Sequence, residues 1–147
     1  MTVPRPLITV LAFDFGTRRI GVAVGNSLTG SARPLATIAN DSPASRLAAI
    51  AALVEEWRPD VLVVGIPVHA DGTAHATTAR ATHFAQALGA RFRVPVEYAD
   101  ERHTTQAAQS ILDAAGAGGG KGRALRDQVA AQVILESWFS ERDAAGS

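Results

Sequence analysis

The run VLVVGIP at residues 61–67 constrains this chain more than any other stretch. Val61 to Val64 are aliphatic without a break, so a strand built from them cannot divide its side chains between core and solvent. It needs cover on both faces, the condition of a parallel strand inside an α/β sheet. The flanking segments offer that cover. Before it, Asp41-Ser42-Pro43 reads as a helix start, with a capping side chain followed by proline at the first helical position. Leu47, Ile50, Ala51, Val54 and Trp57 then recur at helical spacing, and Pro59 ends the segment. After it, Val68–Thr73 reads as a loop with an Asp71-Gly72 turn, and Ala74–Leu88 as an alanine-rich helix closing at Gly89.

The first third of the chain has a different pattern. Ile8–Phe13 and Ile20–Val24 are apolar runs joined by a short polar turn in which Gly16 permits a tight reversal. Ser31–Ile38 supplies a third short strand, which Pro34 confines to an edge. Val94–Tyr98 is a further strand with Pro95 near its start. A helix follows over about Thr104–Ala115, and Gly116–Gly122 is a glycine-rich loop. The last helix begins near Arg126 or Asp127, carries Val129, Val133, Ile134 and Trp138 on its apolar side, and frays from about Ser140. An antiparallel meander followed by βα crossovers predicts one mixed sheet flanked by helices, in a single domain spanning residues 1–147.

Composition narrows the function classes. The formal net charge of the 147 residues is zero, so a site for a polyanion must be a local patch. Cysteine is absent, which excludes disulfides, thiolate metal sites and thiol catalysis. The four histidines show no metal-ligand spacing, and zinc is not expected. No segment reads as a signal peptide or is long enough to span a bilayer, so the expectation is a cytoplasmic protein without a membrane partner.

Three acids stand where chemistry is expected. Asp14 ends the first strand, Glu101 follows the last, and Asp127 opens the final helix. Ligands of such sheets sit at strand ends. If the first and last strands are parallel neighbours, their acids share a rim over which the last helix can lay Asp127. Converging carboxylates repel one another, and a hard divalent cation removes the conflict; oxygen ligands suit Mg²⁺ or Mn²⁺. Two such ions about 4 Å apart can clamp a phosphodiester. The alternative is structural: Asp14 shaping a turn and pairing with Arg18, Asp127 favoured by the helix dipole, and Asp100-Glu101 a solvated turn.

The segments holding these acids resemble the YqgF family of RNase H-like proteins, described as Holliday-junction-resolvase-like and, in bacteria, as nucleases maturing the 5′ end of pre-16S rRNA. The matching pieces are FDFGTRRIGVAVGN (13–26), VVGIP (63–67) with DGT (71–73), VEYADERHTTQAA (96–108) and DQVAAQVILESW (127–138). They span nearly the whole chain in the family's order. The resemblance implies an RNase H-like fold, with Asp14, Glu101 and Asp127 as the catalytic, metal-binding set of a hydrolase using two metal ions. It also implies a nucleic-acid partner, either structured RNA or branched DNA, and with it ribosomal precursor particles; the expected state is monomer or homodimer. The chain departs from the family pattern around the DG turn, which His69 and His75 flank in place of small or amide residues.

Substrate contacts are expected from Arg18, Arg102, Lys121, Arg123 and Arg126. Arg18 suits a phosphate because guanidinium grips two oxygens at once, while the role of Arg19 stays open. Lys121, Arg123 and Arg126 form a basic cluster close to Asp127, the best local polyanion site in a neutral chain, or else a solvated loop. Arg102 orients Glu101 or contacts substrate, the alternative being packing against the strand end. Gly16, Gly21 and Gly65 read as positions of close backbone approach. Trp57 and Trp138 read as core, His103 as an exposed helix start, and His83 as a helix-face residue without a chemical role. Two other functions compete. DFGTRRIG also resembles the phosphate loop of actin-like ATPases, which close two lobes around ATP where this chain offers one. A non-catalytic RNA-associated protein on the same fold is the other.

Overall fold

The computed structural model describes residues 7–66, 76–100 and 120–146. Within these residues five strands form one sheet: β1 (Thr9–Phe15), β2 (Arg19–Asn26), β3 (Ala32–Ala39), β4 (Val61–Ile66) and β5 (Val96–Asp100). Among the described residues three helices accompany them: α1 (Pro43–Trp57), α2 (Ala76–Phe92) and α3 (Gly120–Gly146). The strand order is β3-β2-β1-β4-β5; β1–β2 and β2–β3 are antiparallel, and β1–β4 and β4–β5 are parallel. The meander and the crossovers thus meet at β1.

Each edge carries the proline that marked it. On β3, Ala23 pairs with Pro34 and Val22 with Ala36, so the ladder slips by one residue at the position that has no N–H to give. Pro95 lies just before β5, and its carbonyl accepts from the Leu62 amide.

Both faces of β4 are covered, as its unbroken aliphatic run requires. On one face, Leu11, Phe13 and Phe15 of β1 and Leu62 and Val64 of β4 pack with Ile50 of α1 and Phe84, Ala85 and Leu88 of α2. On the other, Val10, Ala12 and Val63 pack with Ile134, Leu135, Trp138 and Phe139 of α3. Ser42 caps α1, its hydroxyl accepting from the Ser45 amide, with Pro43 at the first position.

Helix ends differ from the sequence expectation. Gly89 does not close α2, which runs on to Phe92; Arg93 takes the left-handed conformation (φ 56°) and returns its amide to the Gly89 carbonyl. β5 lies two residues later than Val94–Tyr98. Gly120–Gly122 belong to α3, not to a loop, and Gly122 is buried, so packing holds a turn that propensity disfavours. The helix also continues past Ser140 to Gly146. The helix expected over about 104–115 and the Asp71-Gly72 turn lie outside the described residues. Among the described residues, no helix is long and apolar enough to cross a membrane.

Candidate active site at the sheet rim

Alternation along β1 places Ile8, Val10 and Ala12 against α3, and therefore Asp14 on that same face, one residue from the strand's end. Directly opposite Asp14 on β2 is Gly21. Along this face β2 presents Gly21, Ala23 and Gly25, a strip with almost no side chain, and α3 lies down on it. A Cβ on Gly21 would fall on the Asp127 carbonyl. The close approach expected at Gly21 is thus made by a helix backbone. Asp14 and Asp127 consequently flank one β2 residue on one face, although Asp127 stands eight residues into α3 and does not open it. That position is beyond the first turn, where the helix dipole favours an acid.

Arg19 alternates with Gly21 and so faces α3 as well. Its Nε donates to Asp127 Oδ2 at 2.6 Å, in an ion pair that is partly exposed on both sides. Arginine thus positions the Asp127 carboxylate through Oδ2. Two further bonds seat this part of the helix: Thr37 Oγ1 donates to the Ala124 carbonyl (2.7 Å), and Gln128 Nε2 donates to Thr37 Oγ1 (3.1 Å).

On the other side of Asp14 lies Gly65 of β4, and level with Gly65 is Ala99 of β5. The strands bearing Asp14 and Asp100 are parallel but not neighbours: β4 separates them, and about 10 Å lies between β1 and β5. Gly65 and Ala99 keep the rim between them low. β5 ends at Asp100, and Glu101, Arg102 and His103 lie outside the described residues, as do His69 and His75. Arg126 is exposed on α3, and Lys121 and Arg123 belong to its first turn, in the helix and not in a glycine-rich loop. Among the described residues no three acids or histidines gather as a metal cluster; Asp14 and Asp127 offer oxygen ligands only.

The β1–β2 turn is anchored from behind. The Gly16 amide donates to the Arg19 carbonyl (2.9 Å), and a Cβ on Gly16 would sit 2.6 Å from that oxygen. Asn40 Nδ2 donates to the Gly16 carbonyl (2.8 Å), while Arg46 Nη1 donates to Asn40 Oδ1 (2.9 Å). Arg18 is exposed at the tip. Sequence reasoning missed the Asn40–Arg46 support altogether. The pairing of Arg19 with Asp127 was signalled by its phase with Gly21, Ala23 and Gly25.

Comparison with known proteins settles the lineage. Residues 8–141 match the family model described as "RuvX: Holliday junction resolvase". A protein of Nitrosospira multiformis, provisionally named a pre-16S rRNA nuclease, is 50% identical over 136 residues, covering 92% of this chain and 90% of its own. One of Dechloromonas aromatica with the same provisional name is 52% identical over 131 residues, 89% of this chain and 90% of its own.

The chain belongs to the RuvX family.

Two solved structures show that the RuvX fold here is RNase H-like, of the RuvC type. Thermus thermophilus RuvC with a Holliday junction substrate aligns at a TM-score of 0.60 and 18% identity, covering 93% of this chain and 96% of that one. The fowlpox virus resolvase with Holliday junction DNA aligns at 0.56 and 10% identity, covering 92% and 99%. The YqgF resemblance and the mixed-sheet expectation are both borne out.

Proposed function

We propose that this RuvX-family chain is a metal-dependent nuclease that hydrolyses phosphodiester bonds at the 5′ end of pre-16S rRNA, with Asp14, Glu101 and Asp127 as its acidic set. Relatives about half identical over nearly their whole length carry that provisional name. The observation that carries the site is the seating of Asp127 against Gly21, the strand partner of Asp14. Two acids far apart in sequence thereby flank one point of the rim. β5 delivers the chain to the same rim one residue before Glu101.

The donor set fits a hard divalent ion, Mg²⁺ or Mn²⁺, because the acids supply oxygen and the chain has no cysteine thiolate to compete for a softer metal. Held by Asp14, Glu101 and Asp127, such an ion would supply Lewis acidity to the phosphorus and a more acidic water. The remaining work falls to the chain. Arg19 fixes the Asp127 carboxylate through Oδ2 and so limits its orientation. Gly65 and Ala99 give a polymer backbone room beside Asp14. Arg18 and Arg126, exposed near the rim, suit substrate phosphates, as do Lys121, Arg123 and Arg102 by their place in the sequence.

A second reading, cleavage of branched DNA, is favoured by the family model's description and by the junction complexes of two fold neighbours. One experiment separates them. The purified chain is given Mg²⁺ or Mn²⁺ with matched single-stranded RNA, precursor rRNA and four-way DNA junctions, beside an Asp14→Asn variant. The expected result is cutting of the precursor in preference to the others, lost in Asp14→Asn with the fold intact. Cleavage that survives Asp14→Asn would refute the acidic site.

A further inference from the structure

The face of the sheet away from α3 holds a cavity that the acidic site does not use. It begins one residue from Asp14, at Phe15, and is lined by Thr17 of the β1–β2 turn, Asn40, Arg46 of α1, and Arg80 and His83 of α2. Its volume is about 460 Å³, room for a nucleotide-sized group and more than a lone ion needs. Among the described residues its polar lining is one-sided: two guanidiniums, an imidazole, an amide and a hydroxyl, with no carboxylate.

Arg46 is the telling member. Its guanidinium lies over the rings of Phe15 (5.8 Å) and Phe84 (5.6 Å), and of its five donors Nη1 is bonded to Asn40 Oδ1. Its Nε is buried with no acceptor. Among the described residues no carboxylate neutralises it, and a buried donor left unpaired is costly. Arg80 and His83, one turn apart on α2, are exposed and enter no ion pair among the described residues. Three basic side chains from two helices thus converge in a chain of zero net charge, beside the turn that follows Asp14.

The geometry points to this cavity as a seat for a phosphodiester group of the bound strand, held by Arg46, Arg80, His83 and Thr17 on the opposite face of the sheet from Asp127. The inference rests on the nuclease reading and deepens it. The substrate backbone crosses the rim, with the bond to be cut at Asp14 and a neighbouring phosphate lodged behind the turn. Arg46 therefore has two duties, bracing the turn through Asn40 and drawing the strand across it.

Arg46 braces the fold, so the test uses the exposed pair. In the full chain carrying Asp14→Asn, so that bound strand is not cut, Arg80→Gln with His83→Gln should weaken single-stranded RNA binding about tenfold. The salt slope of binding should fall by about 0.7 for each phosphate that is no longer neutralised. Arg91→Gln, at the far end of α2, is the charge control and should change neither. Inorganic phosphate titrated into isotopically labelled protein should shift the amide resonances of Thr17, Asn40 and His83, and the double variant should abolish those shifts. Unchanged affinity and slope with no phosphate shifts would overturn the seat even where Asp14-dependent cleavage is intact. An equal weakening in Arg91→Gln would overturn it too. Phosphate shifts at these amides, with no cleavage of any nucleic acid by the parent chain that keeps Asp14, would uphold the seat and remove the nuclease reading.

Discussion

Replacing Gly21 by alanine should damage the protein twice, in stability and in chemistry. Gly21 has no left-handed φ, so space alone demands glycine there. A Cβ would fall on the Asp127 carbonyl and 3.0 Å from the Gln128 amide nitrogen. Both are backbone atoms, and no side-chain rotation relieves the clash. The helix must withdraw by on the order of an ångström, enough to forfeit much of its local packing. Overpacking of this kind costs about 1–3 kcal/mol. The bonds from Thr37 to Ala124 and from Gln128 to Thr37 go with it, at about 1 kcal/mol each. The partly exposed Arg19–Asp127 pair adds under about 1 kcal/mol. The loss expected is about 3–5 kcal/mol, a large part of a typical total of about 5–15 kcal/mol. Urea unfolding followed by tryptophan fluorescence reads it as a midpoint lowered by roughly 2 M at a slope near 2 kcal/mol/M. Under conditions where the variant stays folded, displacement of Asp127 from Asp14 should cost about a hundredfold in kcat. Gly25→Ala is the control. Its Cβ would meet the Ser31 carbonyl (2.6 Å) and Phe139 (3.0 Å) at the far end of β2. It should destabilise and yet spare the specific activity of folded protein. A Gly21→Ala protein within about 1 kcal/mol of the parent, or one fully active, would refute the reasoning.

Arg19→Gln should lower stability by less than about 1 kcal/mol, because the pair is partly exposed, while reducing kcat at least tenfold by freeing the Asp127 carboxylate. A stability loss without a kinetic one would make Arg19 a structural residue only. Ser42→Ala removes the cap of α1 and should cost about 1 kcal/mol in urea unfolding with cleavage unchanged. Chelation with EDTA should abolish cleavage, and Mg²⁺ or Mn²⁺ should restore it. Activity that persists in EDTA would contradict the oxygen-ligand site.

What the sequence showed well was what local pattern determines. The unbroken aliphatic run of β4, the edge prolines of β3 and β5, and the Ser42-Pro43 start of α1 all express backbone requirements visible within a few residues. Helix ends were less legible. Gly89 looks like a stop and Gly122 like part of a loop, yet Arg93 takes the left-handed cap and burial carries Gly122 in the helix, and both depend on packing across the chain. The acids Asp14 and Asp127 could be picked out as candidates, but the reason they approach could not. It lies in the period-two strip Gly21, Ala23, Gly25, whose meaning appears only once a helix rests on it. Arg46 was invisible as a site residue because its neighbours, Phe15, Asn40 and Phe84, come from three separate segments.

The order of the chain sets the order of its assembly. β1 and β2 can pair soon after they are made, yet the helix that covers their Val10, Ala12 and Ala23 surface starts only at Gly120. At the pace of ribosomal synthesis, about 5–20 residues per second, that surface waits roughly 5–20 seconds for its lid. Asp127 arrives with the same helix, so the step that buries the last apolar strip also completes the pair of acids at the rim. On the proposed acidic set, a chain still being made therefore lacks one of its metal-holding carboxylates until that helix docks.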